Sequence, residues 1–260
     1  MNNIAYIDAH THANSRSSED FERLAVAGCV GLVAVAGDEG GFRGPDSVLD
    51  HFQRLDRVDR VRVEQAGVKC YLALGVHPRG IPGRGLDELL DGLGDALDSY
   101  RADAIGEIGL EQGGDDEERA LLGQLGLAAE RDLPAIVHTP RKGKAEATLR
   151  CLELIDESGI PPAQVLLDHL DETCLDRAVD SGCYLGLSVH PAKLSPAEAC
   201  SLVAKTDPAR LVLSTDMGSN PSYLFGLPAA ICAMQDHGLA EAVIRAVVHD
   251  NAAAFLGISS

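Results

Sequence analysis

Tryptophan is absent and the other aromatics are few, five Phe and five Tyr in 260 residues, so any core this chain builds must be aliphatic. Flat rings for stacking nucleobases are equally scarce. Long apolar runs are also missing. The longest, Cys29 to Ala36 with one Gly inside, has the length of a buried strand and falls far short of a bilayer span, which excludes a helical membrane protein. No basic start followed by a long apolar stretch opens the sequence, so it predicts no secretory leader and a cytoplasmic location. The seven cysteines are odd in number and contain no CxxC pair, a pattern of reduced, mostly buried thiols that argues against a disulfide framework. Positive charge is the scarcest commodity: 22 Lys and Arg face 40 Asp and Glu, net −18, and only five of the cations are Lys. Such a surface repels polymeric nucleic acid at long range and offers no basic stripe to track a phosphate backbone, which points to a small-molecule substrate. Acidic excess with little lysine fits a salt-adapted host and genomic drift alike.

What is present is an alternation. Short apolar runs at Asn3–Asp8, Val30–Ala36, Val68–Val76, Ala104–Leu110, Ala135–His138, Gln164–His169, Tyr184–Val189 and Arg210–Asp216 read as strands. Longer amphipathic segments separate them, at Glu19–Ala27, Val48–Gln65, Leu86–Arg101, Asp115–Arg131, Lys144–Glu157, Glu172–Ser181, Pro196–Lys205 and Tyr223–His237. Near-continuous apolar strands alternating with helices predict a parallel α/β sheet, and eight repeats predict a (β/α)8 TIM barrel. A doubly wound open sheet is the structural competitor. No linker or low-complexity tract interrupts the chain, so residues 1–260 read as a single domain.

In a (β/α)8 barrel the chemistry sits at the C-terminal ends of the strands. Here those ends carry metal-ligand residue types. The first strand ends in Asp8-Ala9-His10-Thr11-His12, and residues i and i+2 on an extended segment share a face, so His10 and His12 can converge on one ion. Nine histidines would give roughly 0.3 such pairs by chance, so the pair alone decides little. The fourth strand holds Glu107 in an otherwise apolar run, where a lone charge would be costly without a cation or an Arg partner. The fifth ends at His138, the sixth at His169, the eighth at Asp216. Five strand ends offering HxH, Glu, His, His and Asp in that order predict a divalent metal site.

Two further clusters bear on substrate choice. Arg141, Lys142 and Lys144 form a basic knot just past His138, either an anion clamp or a solvated helix start. His190-Pro191-Ala192-Lys193 ends the seventh strand, where His190 and Lys193 either reach the barrel mouth or cap the strand. The Gly-rich stretches Gly37–Gly44 and Gly80–Gly85 follow strands two and three, where lids and tight turns both occur. His51, His237 and His249 fall in helical segments and read as incidental.

Taken together, Ile7-Asp8-Ala9-His10-Thr11-His12, Gly75-Val76-His77-Pro78, Ala104 through Leu110, Ile136-Val137-His138-Thr139, His169, Thr215-Asp216 and the terminal Asn251-Ala252-Ala253-Ala254-Phe255-Leu256 resemble the TatD-like metal-dependent hydrolases, over nearly the whole chain. The resemblance implies a pair of divalent ions, with His10 and His12 on one, His138 and His169 on the other, and Glu107 bridging. Asp216 would bind the first ion and handle the proton of the attacking water, and His77 would lie near the rim, in an outer shell or at the substrate. The imidazole-rich set suits Zn, Mn, Fe or Co. Away from those ligands the chain departs from the TatD nucleases: Ser214 stands where they carry an acid, Thr139-Pro140-Arg141-Lys142-Gly143-Lys144 follows the fifth-strand His, and Leu170-Asp171-Glu172 follows the sixth. Hydrolysis therefore transfers better than nuclease specificity. The leading expectation is hydrolysis of a phosphoester or another small anionic substrate. The alternatives are hydrolysis of a lactone, amide or cyclic imide with the same metals, and a non-hydrolytic isomerase, decarboxylase or metal-binding protein.

Overall fold

The computed structural model describes residues 4–37 and 41–258, so Asn3 and part of the first Gly-rich stretch lie outside the described residues. Eight strands form where expected: β1 (Tyr6–Thr11), β2 (Cys29–Val35), β3 (Lys69–Ala73), β4 (Ile105–Gly109), β5 (Ala135–His138), β6 (Val165–Asp168), β7 (Tyr184–Ser188) and β8 (Leu211–Ser214). All pairings are parallel, and strands adjacent in sequence are adjacent in space. Strands β1–β3 and β4–β8 make two continuous arcs. Single bridges join the arcs, Ala73 with Ala104 on one side and Thr11 with Met217 on the other. At these seams the Leu74 N–H donates to the Ala104 carbonyl (3.1 Å) and the His12 N–H to the Met217 carbonyl (2.8 Å). The sheet thus closes on itself as a (β/α)8 barrel.

The helices are α1 (Ser18–Val26), α2 (Pro45–Arg54), α3 (Arg60–Gln65), α4 (Leu86–Tyr100), α5 (Asp115–Arg131), α6 (Lys144–Ser158), α7 (Leu175–Ala178), α8 (Pro196–Lys205), α9 (Gly226–His237), α10 (Glu241–Arg245) and α11 (Asn251–Phe255). Their starts are written locally. Ser17 with Asp20, and Ser195 with Glu198, form reciprocal capping boxes, and Pro196 sits at the first helical position of α8. Helix α5 opens on Asp115, Asp116, Glu117 and Glu118, favourable at the positive end of its dipole.

Two apolar layers result. The outer one packs Leu32, Leu72, Leu93, Leu121, Leu154 and Leu213, among many others, between strands and helices. The inner one fills the lumen with Ile7, Ala9, Val33, Val35, Ala73, Ala104, Ile136, Leu166 and Val212. It is completed by Ala252, Ala253 and Phe255 of α11, a helix that packs against β1 and β8. Most of these side chains are Ala and Val, with Ile7, Ile136, Leu166 and Phe255 the larger ones, so the aliphatic composition is sufficient for a packed lumen.

Three segments differ from the sequence-based expectation. The run expected to be one helix from Val48 to Gln65 begins earlier, at Pro45, and passes through a π turn at Leu55–Asp59. The seventh helix shrinks to Leu175–Ala178, because the Asp171 carboxylate accepts from the Thr173 N–H (2.9 Å) and hydroxyl (2.5 Å) and so holds a turn where a first helical turn was expected. The helical run from Glu241 to Phe255 is not among the eight predicted helical segments, although His249 within it reads as helical.

Candidate metal centre

The carboxylate of Glu107, carried by β4 and only 2% exposed, is the geometric centre of the strand ends. Its Oε1 lies 2.8 Å from His138 Nδ1 and 2.9 Å from His169 Nε2. Its Oε2 lies 3.4 Å from His10 Nε2, 3.6 Å from His77 Nε2 and 3.8 Å from His12 Nε2. Asp216 completes the ring, with Oδ1 3.2 Å from His12 Nε2 and 3.5 Å from His10 Nε2. All six residues expected as ligands converge here, and His77, expected nearer the rim, is buried beside the same carboxylate. Among the described residues three groups have ligand atoms within 4.8 Å of one another: His10, His12 and Glu107; His77, Glu107 and His138; His10, Asp168 and His169.

The imidazoles are oriented from outside. The His10 Nδ1 faces Asp168 Oδ2 at 2.7 Å, His169 Nδ1 faces Ser188 Oγ at 2.7 Å, and His138 Nε2 faces Glu111 Oε2 at 2.9 Å. A carboxylate can only accept, so Asp168 takes the His10 ring proton at Nδ1 and leaves Nε2 as the ligand atom, while His138 stands between two acceptors, Glu107 at Nδ1 and Glu111 at Nε2. Two residues make room for this. Gly186 on β7 lies so close to Asp168 that a Cβ would sit 2.1 Å from Asp168 Oδ1, so only glycine lets that carboxylate reach His10. His169 follows an inward-facing Asp168, and regular alternation would aim it outward. It adopts φ +65 instead, in the left-handed region that costs a non-glycine residue of order 1 kcal/mol.

This donor set fits a cation. The His10 Nε2 is buried and makes no hydrogen bond, with two carboxylates just beyond reach. Burial alone would push the His10 pKa down, yet Glu107 and Asp168 outweigh it and hold it well above its ordinary value. Burial would likewise raise Glu107, but His10, His77 and His138 keep it well below the usual carboxylate range. His169, by burial and the nearby Lys193, is pushed down to about 4 and stays neutral, the ligand form of imidazole. A buried cluster of carboxylates and neutral-capable imidazoles asks for positive charge at its centre, which divalent ions supply.

The residues expected at the substrate divide. Arg141 lines the central cavity of about 350 Å³, together with His190 and Lys193. A tight turn holds the last two: the His190 N–H donates to the Leu194 carbonyl (2.9 Å) and the Lys193 N–H to the His190 carbonyl (2.9 Å). Lys193 Nζ lies 2.5 Å from Asp216 Oδ2, so it meets a carboxylate of the centre directly. Burial raises Asp216, but Lys193 and the hydrogen bond with His12 hold its carboxyl well below the usual range. Lys142 is elsewhere, exposed and lining a separate hollow with Glu118, Glu146 and Arg150. Lys144 turns inward, donating to the His169 carbonyl and the Thr139 hydroxyl, so it braces two strand ends. The basic knot therefore contributes one residue, Arg141, to the cavity, because the chain turns outward at Lys142 before α6 begins. His51 is buried on α2, where burial and then the positive charges of His12 and Arg54 push its pKa down to about 4.

Asp168, Ser188 and Glu111 escaped the sequence reading. Asp168 stands next to His169 in an apolar strand, as conspicuous as Glu107 in its own, and that was the available signal. Glu111 stands two residues beyond β4 and four past Glu107. Ser188 gives no signal, since a serine ending a strand is commonplace.

The comparisons with known proteins agree with this geometry. The model of the TatD related DNase family matches residues 7–247. An uncharacterized metal-dependent hydrolase of Methanocaldococcus jannaschii is 38% identical over 250 residues, covering 96% of this chain and 98% of its own. The crystal structure of a TatD-like protein from Archaeoglobus fulgidus superposes with a TM-score of 0.83 at 28% identity, covering 97% of this chain and 100% of that one. The phosphotriesterase homology protein of Escherichia coli, solved with phosphate in its active site, shares the fold at a TM-score of 0.71 and 16% identity, over 98% of this chain and all of its own. Among the described residues no helix is long and apolar enough to cross a membrane. The chain belongs to the TatD family and is a metal-dependent hydrolase.

Proposed function

We propose that this protein hydrolyses small phosphoesters with two divalent ions, one held by His10, His12 and Asp216, the other by His138 and His169, with Glu107 between them. The observation that carries the reading is the Glu107 carboxylate, 2% exposed, with imidazole nitrogens at 2.8, 2.9, 3.4, 3.6 and 3.8 Å. No ordinary ion pair needs five imidazoles. When bound, such a pair makes water nucleophilic at neutral pH and stabilises charge developing on the phosphoryl oxygens.

The chain's own groups do the rest. Asp216, kept ionised by Lys193, accepts the proton of the attacking water at Oδ1 and returns it to the leaving oxygen. Lys193 donates to Oδ2 of the same carboxylate and so fixes its orientation. Arg141 and Arg79, both lining the cavity, supply donors to an anion seated above Glu107. A neutral lactone or cyclic imide would give the Arg141 guanidinium at the cavity wall no anion to bind, which ranks the carbonyl reading second.

The test pairs metal analysis with p-nitrophenol release. Purified protein is expected to hold up to two transition-metal ions per chain, to release p-nitrophenol from p-nitrophenyl phosphate or its diester, and to lose activity on chelation and regain it with metal. Metal-replete protein that cleaves a lactone and no phosphoester overturns the phosphoester reading.

A further inference from the structure

The cavity above Glu107 has two unlike walls. After β3, β4 and β5 stand Arg79, Glu111 and Arg141. Opposite, after β1 and β8, stand Ser15, Ser219 and Asn220. The second wall is tied together, since the Arg16 guanidinium donates to the Gly218 carbonyl at 3.2 Å and so links the loops carrying Ser15 and Ser219. Among the described residues the lining contains no aliphatic side chain and no Phe or Tyr. The aromatics that follow this wall in sequence do not line the cavity. Phe225 borders a different hollow with Glu19, Glu22, Arg23 and Val26, and Tyr223 does not line the cavity.

Resting on the phosphoester reading above, we infer that the leaving group is a hydroxylated, non-aromatic alcohol of the polyol or sugar type. The phosphoryl group lies toward Arg141, and the hydroxyl groups are held by Ser15, Ser219 and Asn220. An apolar or aromatic leaving group would meet only polar donors and acceptors on this wall and would strip them of water without replacing their hydrogen bonds. A polyol replaces those bonds one for one. A nucleotide needs a flat apolar or π face for its base, and among the described residues this wall offers only the His12 imidazole, which the proposed metal site already commits. The reaction balances simply: water's oxygen bonds to phosphorus, the P–O bond to the polyol breaks, and Asp216 passes the proton to the departing alkoxide.

The experiment uses the metal-replete full chain on glycerol phosphate, hexose phosphates, p-nitrophenyl phosphate, nucleoside monophosphates and a 5′-phosphorylated oligonucleotide, with inorganic phosphate as competitive inhibitor. Polyol and sugar phosphates are expected to exceed nucleotides in kcat/KM by at least tenfold. Ser15→Ala with Asn220→Ala is expected to raise KM for the sugar phosphates about tenfold while the inhibition constant of phosphate moves less than twofold. Asn220→Tyr, which adds a stacking face, is expected to narrow the preference for sugars over nucleotides. Nucleotides or the oligonucleotide as the better substrates, or equal effects of the double substitution on sugar phosphate and inorganic phosphate, would overturn the inference while leaving phosphoester hydrolysis intact. No release from any ester, p-nitrophenyl phosphate included, would instead sink the reading on which it rests.

Discussion

Asp168 and His10 meet at 2.7 Å inside the barrel, carboxylate to Nδ1, with both side chains fully buried. The contact spans 158 positions of sequence and joins β6 to β1 across the lumen. It fixes which nitrogen of His10 faces Glu107, so it should be felt as metal affinity before it is felt as catalysis. Asp168→Asn keeps the shape but loses an obligatory acceptor, and is expected to weaken metal binding by about 10–100-fold. Competition with a graded chelator reads this directly. Gly186→Ala should act through the same carboxylate, because the added methyl group displaces it. Unchanged affinity in both variants would remove Asp168 from the metal centre.

Arg141 and Lys142 adjoin in sequence and part in space, one lining the cavity and the other a separate hollow. Replacing Arg141 by Ala is expected to raise KM for a charged ester by about tenfold, the scale of one charge-assisted hydrogen bond. Lys142→Ala should move it by less than twofold. Steady-state kinetics on the two single variants separates them, and equal effects would mean the knot acts by its net charge alone.

For Asp216, Asn retains an oxygen that can touch an ion but takes no proton at neutral pH. Asp216→Asn is therefore expected to keep most of its metal while kcat falls by roughly 10²–10⁴ and KM changes little. Metal content and kcat are measured on one preparation across a metal titration. Restoration of activity by excess metal would reduce Asp216 to a ligand.

His51 gives a pH dependence of stability. Its folded pKa, about 4, lies below the ordinary 6.5, so between those values the unfolded chain binds the extra proton. The stabilisation from keeping it neutral is whole above pH 6.5, declines as pH falls through the window, and is exhausted below about 4. At full slope the loss is about 1.4 kcal/mol per pH unit. His51→Gln should flatten denaturant midpoints across pH 4–6.5 relative to the parent chain. Parallel curves for the two proteins would show that another group governs the acid limb.

Much of this architecture was legible because strands and ligands announce themselves by opposite signs. An aliphatic run interrupted by Glu107, or ended by His138, His169 or Asp216, gives both the element and the chemistry in one reading. What stayed hidden depends on approach between distant segments. Nothing near His10 in sequence indicates that Asp168 caps it, and the need for Gly186 appears only once β7 lies beside β6. The outward turn at Lys142 was hidden for a related reason, since the direction of a loop side chain is set by how the next helix docks. The α10–α11 run, which buries Ile244, Val247, Val248 and Phe255, lies beyond the eighth strand–helix pair and so outside the alternation that marks the other elements.

That last run has a temporal consequence. The floor beneath Ile7 and Ala9 is made by Ala252, Ala253 and Phe255, so β1 gains this floor only once residues far downstream have been made. His10 and His12 stand on that strand, and the β1–β8 seam that positions Asp216 closes beside it. A growing chain therefore carries its histidines long before it can hold them in register, and an ion met early finds scattered ligands in place of a site. The strand ends that carry these histidines are therefore backed only when a few alanines and one phenylalanine some 240 residues downstream are in place.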